Sequence, residues 1–119
     1  MTFGESISTC FSKYADFNGR ASRSEYWWFA LFVGVIYLPL LLIAAATEMT
    51  ALMVVAIIFV LACFLPQLAA AVRRLHDTGK SGAAYLISLV PFVGGIILIV
   101  WLATEGNPGA NMYGELPAK

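Results

Sequence analysis

Three long apolar segments that carry no charged residue constrain the fold more than any other feature of this chain. They cover residues 26–47, 49–72 and 83–104, and each has roughly 20 or more residues, the length that an α-helix needs to cross about 30 Å of hydrocarbon. Helices of a soluble domain would carry polar faces, and these segments have almost none. The sequence therefore predicts an all-α membrane protein, one integral domain over residues 1–119, with three transmembrane helices.

The polar N-terminal region is predicted to contain an amphipathic helix over about residues 3–17. Thr2 and Glu5 have the spacing of a capping box, which satisfies the free backbone N–H groups at a helix start. Such a helix lies in the plane of the lipid headgroups and turns its apolar face toward the acyl chains or the helix bundle. The residues with helical spacing on that face are Phe3, Ile7, Cys10, Phe11 and Tyr14.

The distribution of lysine and arginine predicts the orientation, because basic residues concentrate in the cytoplasmic flanks of membrane helices. Placing the N-terminus and the loop 73–82 in the cytoplasm puts six of the seven basic residues on that side. The C-terminal tail, residues 105–119, is then predicted to be extracytoplasmic. The six residues are Lys13, Arg20, Arg23, Arg73, Arg74 and Lys80, and the seventh is Lys119.

One alternative topology remains open for the third segment. Pro91 and Gly94-Gly95 interrupt it, and broken, non-helical backbone is tolerated inside a membrane where it is buried in protein. In that case the segment would be re-entrant and would return the tail to the cytoplasm.

The loop 73–82 holds five ionisable groups in ten residues, but it does not indicate a known catalytic motif. Gly79-Lys80-Ser81 resembles the end of a phosphate-binding P-loop, yet Arg74 stands where that motif requires glycine. His76 is the single histidine and has no second ligand at metal-binding spacing. We predict no catalytic residue, no metal and no cofactor.

The arginines indicate an interfacial cluster with two possible uses. Guanidinium groups bind carboxylates and phosphates with a rigid fork. In a structural use, Glu25 and Asp77 pair with arginines and fix the first span against the loop 73–82. In a functional use, surplus positive charge binds anionic lipid headgroups, worth about 1 kcal/mol per residue near the surface. The candidate binding residues are Arg20, Arg23, Glu25, Arg73, Arg74, His76 and Asp77.

Two polar side chains lie inside the predicted spans, Gln67 in the second and Ser88 in the third. We expect them to hydrogen-bond across the helices, since buried polar groups in membranes usually join helices. A transport path would need several such groups in line, and these two are few.

Three ordered motifs resemble a known family. They are Phe17–Phe29 (FNGRASRSEYWWF), Arg73–Gly82 (RRLHDTGKSG) and Asn111–Gly114 (NMYG). Over about residues 14–114 the chain resembles the small bacterial inner-membrane family catalogued as domain of unknown function number 805. The resemblance implies a compact multi-pass helical protein of the cytoplasmic membrane and implies no established activity. Ala83-Ala84-Tyr85 departs from the paired tryptophans that many members carry there, and the ending Gly114–Pro117 also departs from the family pattern.

The leading hypothesis for function is non-enzymatic binding of anionic lipid, or of a membrane-protein partner, through the cytoplasmic Arg/His/Asp cluster. The net charge is zero, so nucleic acid is not expected as a partner. One alternative is a small oligomeric transporter or channel subunit. Another is an enzyme that acts on lipid headgroups with His76 and Asp77.

Overall fold

The computed structural model describes residues 1–117, and this part of the chain is helical without a named strand. The prediction of an all-α fold is confirmed. The elements are α1 (Phe3–Ser12), α2 (Arg23–Thr47), α3 (Thr50–Asp77), a 3₁₀ helix (Gly82–Leu89) and α4 (Gly94–Ala103).

Helices α2 and α3 form a long antiparallel hairpin, and both are long and apolar enough to cross a membrane. They match the first two predicted spans, 26–47 and 49–72, except that Met49 caps α3 instead of lying in it. The turn between them places Glu48 in the left-handed conformation, with φ of 55°. Helix α3 continues to Asp77, so Arg73 and Arg74 lie in its last turns rather than in a loop as predicted.

The structure corrects the prediction of a third transmembrane helix over residues 83–104. The segment is a 3₁₀ helix, a turn around Pro91 and Phe92, and the 10-residue α4, which is about 15 Å long and too short to span. Proline has no N–H to continue a helix, and Phe92 has a φ of 70°. A Cβ on Gly94 would overlap the Ile87 carbonyl oxygen, so glycine is required where the two arms approach each other. We call residues 82–103 the short hairpin.

The C-terminal tail lies at the same end of the molecule as the end of α3, which corrects its predicted placement on the opposite side. The Asn107 N–H donates to the Asp77 carbonyl at 2.8 Å, and the Asn111 side chain donates to the His76 carbonyl at 2.9 Å. These contacts fit the re-entrant alternative for the third segment. Lys119, which the prediction placed outside, is beyond the described residues.

Helix α1 begins as predicted but is shorter, ending at Ser12 instead of residue 17. The Thr2–Glu5 capping box is present with both of its hydrogen bonds. Phe11 packs edge-to-face on Phe29 of α2, with ring centroids 5.3 Å apart. The aromatic face of α1 therefore contacts the bundle, and its position at a lipid interface stays a prediction.

Candidate functional site

Five charged side chains meet where α2 begins and α3 ends, and we call them the charge cluster: Arg20, Glu25, Arg73, Arg74 and Asp77. Residues 20–22 run extended along the end of α3, because the Ala21 N–H donates to the Arg73 carbonyl at 3.0 Å. Ser22 then caps α2 by accepting the Glu25 N–H at 3.1 Å. This local arrangement brings Arg20 and Glu25 to the last turns of α3.

Asp77 is the centre of the charge cluster and binds two arginines at once. Its Oδ1 lies 2.8 Å from both Nε and Nη2 of Arg20, and its Oδ2 accepts from Nη1 of Arg74 at 2.6 Å. The two guanidinium side chains are 0% exposed and the carboxylate is 7% exposed. Buried charges of this kind are retained only when paired and hydrogen-bonded.

The remaining donors of Arg74 reach the end of the short hairpin. Its Nε donates to the Leu102 carbonyl at 2.9 Å, and its Nη2 donates to the Thr104 carbonyl. These carbonyls lie at the end of α4, where the last four have no partner within the helix. Arg74 therefore ties the returning arm of the short hairpin to Asp77.

Arg20 connects the C-terminal tail to Asp77 in the same way. Its Nη1 donates to the Gly109 carbonyl at 2.7 Å, and its Nη2 donates to the Asn107 carbonyl at 2.8 Å. Gly106 passes so close that a Cβ there would overlap the Asp77 carboxylate. The tail is thus ordered by backbone contacts to the charge cluster.

Arg73 and Glu25 form the second buried pair, beneath α1. Arg73 Nη1 donates to Glu25 Oε2, and Nε donates to the Asp16 carbonyl at 3.1 Å. Arg73 Nη2 is a buried side-chain donor without a hydrogen-bond partner among residues 1–117. Burial, followed by the negative charge of Glu25, raises the pKa of the neighbouring Cys10 thiol to about 11. Ser22 and Glu25 form only half of a capping box, because the Glu25 carboxylate binds Arg73.

His76 is held beside the charge cluster by other groups. Its Nδ1 lies 2.9 Å from the Gly19 carbonyl, which requires the proton on that nitrogen. Its ring stacks on Tyr113, with centroids 3.9 Å apart and planes 2° from parallel. Within residues 1–117, His76 and Asp77 share no side-chain hydrogen bond, and no group of three or more His, Cys, Asp or Glu could hold a metal ion. The arrangement thus presents no assembled acid–base pair.

Arg23 differs from the other arginines because its side chain is exposed and forms no ion pair among the described residues. It lines a cleft of about 280 Å³ between the start of α2 and the tail. Ser22 and Ser24 border the cleft on the α2 side, and Glu105 and Gly106 border it on the tail side. Of the predicted cluster, Arg23 is therefore the cation that remains accessible to a ligand.

The predicted contact between Gln67 and Ser88 is not among the hydrogen bonds of the described residues. Gln67 is half-buried and lies beside the Tyr26 side chain, and Ser88 is exposed on the 3₁₀ helix. The third segment forms a 3₁₀ helix and a short α-helix rather than the single span on which the predicted contact depended.

Sequence reasoning missed the tail as part of the site. The carbonyls of Asn107 and Gly109 complete the coordination of Arg20, and Tyr113 covers His76. Backbone carbonyls carry no residue-type signal. The turn-forming residues Asn107-Pro108-Gly109 are typical of an ordered loop, and Asn111–Gly114 is one of the motifs that carry the family resemblance.

The chain is similar to known inner membrane proteins of Escherichia coli. The chain is 46% identical over 107 residues to Inner membrane protein YhaI of Escherichia coli K12, covering 87% of each chain. It is 37% identical over 110 residues to Inner membrane protein YhaH of the same strain, covering 87% of this chain and 88% of that one. It is also 30% identical over 93 residues to the uncharacterized protein YiiR, covering 76% of this chain and 55% of that one. No solved structure matches.

The chain is a protein of the bacterial inner-membrane class, and it carries the apolar helices that such a location requires. Its match to the family described as "Protein of unknown function (DUF805)" covers residues 14–115. It belongs to that family, as its three motifs indicated.

Proposed function

We propose that this protein is a non-enzymatic component of the cytoplasmic membrane that binds anionic lipid headgroups at the cytoplasmic face. The observation that carries the proposal is the exposed Arg23, which forms no ion pair among residues 1–117 and lies beside a charge cluster whose arginines are paired with Glu25 and Asp77. Lys13 and Lys80 add positive charge at the same end of the molecule. Trp27 and Trp28, each more than one-third exposed, supply the amphipathic rings that favour the headgroup level.

The orientation that we propose has two spans, with the N-terminal region, the end of α3 and the tail in the cytoplasm. All six lysines and arginines of the described residues then lie on the cytoplasmic side, as the positive-inside rule favours. The α2–α3 turn, on the opposite side, carries Glu48 as its charged residue. The short hairpin enters the cytoplasmic leaflet and returns without crossing. Its apolar tip supports this, because Phe92 is 96% exposed and Leu89 is 76% exposed.

Cysteine labelling tests the orientation. Met112→Cys should react with a membrane-impermeant maleimide in inverted vesicles, and Glu48→Cys should react in intact spheroplasts. Phe92→Cys should react in neither, because the tip lies in hydrocarbon. Labelling of Met112→Cys or Phe92→Cys from the outside would contradict the orientation.

Spin-labelled lipids test the headgroup preference in reconstituted protein. The motionally restricted fraction of a phosphatidylglycerol probe should exceed that of a phosphatidylcholine probe, and the excess should fall as salt screens the exposed charges. The variant Lys13→Gln/Arg23→Gln/Lys80→Gln should lose the excess, and Glu48→Gln at the opposite end should retain it. Equal restricted fractions for both probes in the unaltered protein would refute the proposal.

The two alternatives find no supporting observation among the described residues. A transport path needs aligned polar groups, and no hydrogen bond links Gln67 to Ser88 among residues 1–117. A headgroup enzyme needs His76 and Asp77 to act together, and each is bound to other partners.

A further inference from the structure

Three concave surfaces follow one another along α2, and each shares a lining residue with the next. The cleft at Arg23 shares Ser24 with an apolar groove at Trp27 and Trp28. That groove shares Leu31 with a second apolar groove, of about 420 Å³, which extends past Gly34 to Pro39. We call these three surfaces together the α2 track.

We propose that the α2 track is a binding site for one phospholipid whose phosphodiester headgroup carries a net negative charge. The headgroup lies in the cleft with its phosphate at Arg23, and one acyl chain lies along the two grooves. This inference deepens the proposed function and rests on it, because it names a single site within a general preference for anionic lipid.

The charges around the cleft favour an anionic headgroup. Asp77 lines the cleft but is already bound by Arg20 and Arg74, and Glu105 lines the opposite wall. Met1, which carries the terminal amino group, also lines the cleft, so with Arg23 these groups make four cations and two anions, a net charge of +2. The Arg23 fork can donate two parallel hydrogen bonds to a phosphate, and the Ser24 hydroxyl can donate another.

The grooves match an acyl chain in length and in shape. From Trp27 to Leu38 the helix rises about 16 Å, close to half of the roughly 30 Å hydrocarbon core. Ala30 and Gly34 leave the helix surface low, and a Cβ on Gly34 would meet nothing within 4 Å. The Trp27 indole N–H donates to the Leu102 carbonyl at 3.2 Å, which fixes this ring as a wall at the headgroup end.

A lipid fits the α2 track better than a second copy of the chain. A parallel two-fold pair packed along this face would bring the same patches together. Arg23 would then face Arg23, and like charges at close range are unfavourable. A phospholipid presents negative charge at one end and hydrocarbon at the other, which is the order of surfaces along the track.

Native mass spectrometry of protein released from mixed-lipid nanodiscs tests the site. The unaltered protein should retain one phosphatidylglycerol in preference to phosphatidylethanolamine or phosphatidylcholine. Arg23→Gln should lower this retention about fivefold, the factor that corresponds to about 1 kcal/mol for one basic residue near the surface. Gly34→Leu should lower it at least as much, since the new side chain fills the groove.

Matched controls separate the site from general effects. Gly95→Leu also adds a side chain where a Cβ meets nothing within 4 Å, and Lys13→Gln removes a cation outside the cleft, so both should leave retention unchanged. Equal retention of phosphatidylethanolamine, or undiminished retention in Gly34→Leu, would overturn the site. A dimer mass that Gly34→Leu abolishes would overturn it in favour of a second copy.

The two proposals fail in different ways. If spin-labelled phosphatidylglycerol is still preferred but no single lipid is retained, the α2 track is wrong while the general lipid preference holds. If neither experiment shows a preference for phosphatidylglycerol, the proposed function itself is wrong.

Discussion

Replacing Asp77 with asparagine tests the charge cluster most directly, because it changes charge with almost no change in volume. The carboxylate accepts from Arg20 at 2.8 Å and from Arg74 at 2.6 Å, and both arginine side chains are 0% exposed. In Asp77→Asn the amide group would turn N–H donors toward one arginine, and two buried guanidinium groups would lose their counter-ion. Removing one partner from a buried ion pair costs about 3–5 kcal/mol.

The loss should be visible as a lower free energy of unfolding in mild detergent, followed by tryptophan fluorescence during denaturant titration. Because Arg74 and Arg20 also hold the short hairpin and the tail, both segments should become sensitive to protease in Asp77→Asn. Glu105→Gln is the matched control: Glu105 is an exposed acid at the same cleft, and its replacement should change the free energy by less than about 0.5 kcal/mol. If Asp77→Asn costs no more than Glu105→Gln, the charge cluster does not hold this end of the molecule together.

Further predictions concern close packing and thiol chemistry. Gly106→Ala should destabilise the protein by about 1–3 kcal/mol, because the added Cβ would overlap the Asp77 carboxylate. Gly109→Ala is the control and should have little effect, because a Cβ there would meet nothing within 4 Å. Equal thermal stability of the two variants would contradict this packing. In a Cys63→Ala background, Cys10 should resist maleimide at pH 7, because it is 0% exposed and its pKa is raised to about 11. The pKa of the Cys10 thiol is higher in the folded state than its ordinary value of 9.0, so its contribution to stability is present below pH 9 and is lost as the pH rises toward about 11. Rapid labelling at pH 7 without denaturant would show that α1 does not cover this thiol.

The sequence alone determined the membrane location, the all-helical class and the α2–α3 hairpin. Those properties follow from local quantities: the length of each uncharged run and the single residue, Glu48, between the first two runs. The pairing of acids with arginines could also be predicted from the sequence, because a carboxylate near buried arginines has few other groups that can satisfy its hydrogen bonds. Glu25 and Asp77 were expected to pair with arginines, and they do.

Only the tertiary structure decided the path of residues 83–116. Hydropathy measures whether a segment avoids water, and a hairpin that enters and leaves one leaflet is as apolar as a helix that crosses two. The path of the segment depends on which hydrogen-bonding partners are available to its C-terminal end. Here the carbonyls at the end of α4 and in the tail satisfy donors of Arg74 and Arg20 that would otherwise be buried without partners. Every residue type has the same backbone carbonyl, so the path of residues 83–116 could not be predicted from the amino-acid sequence.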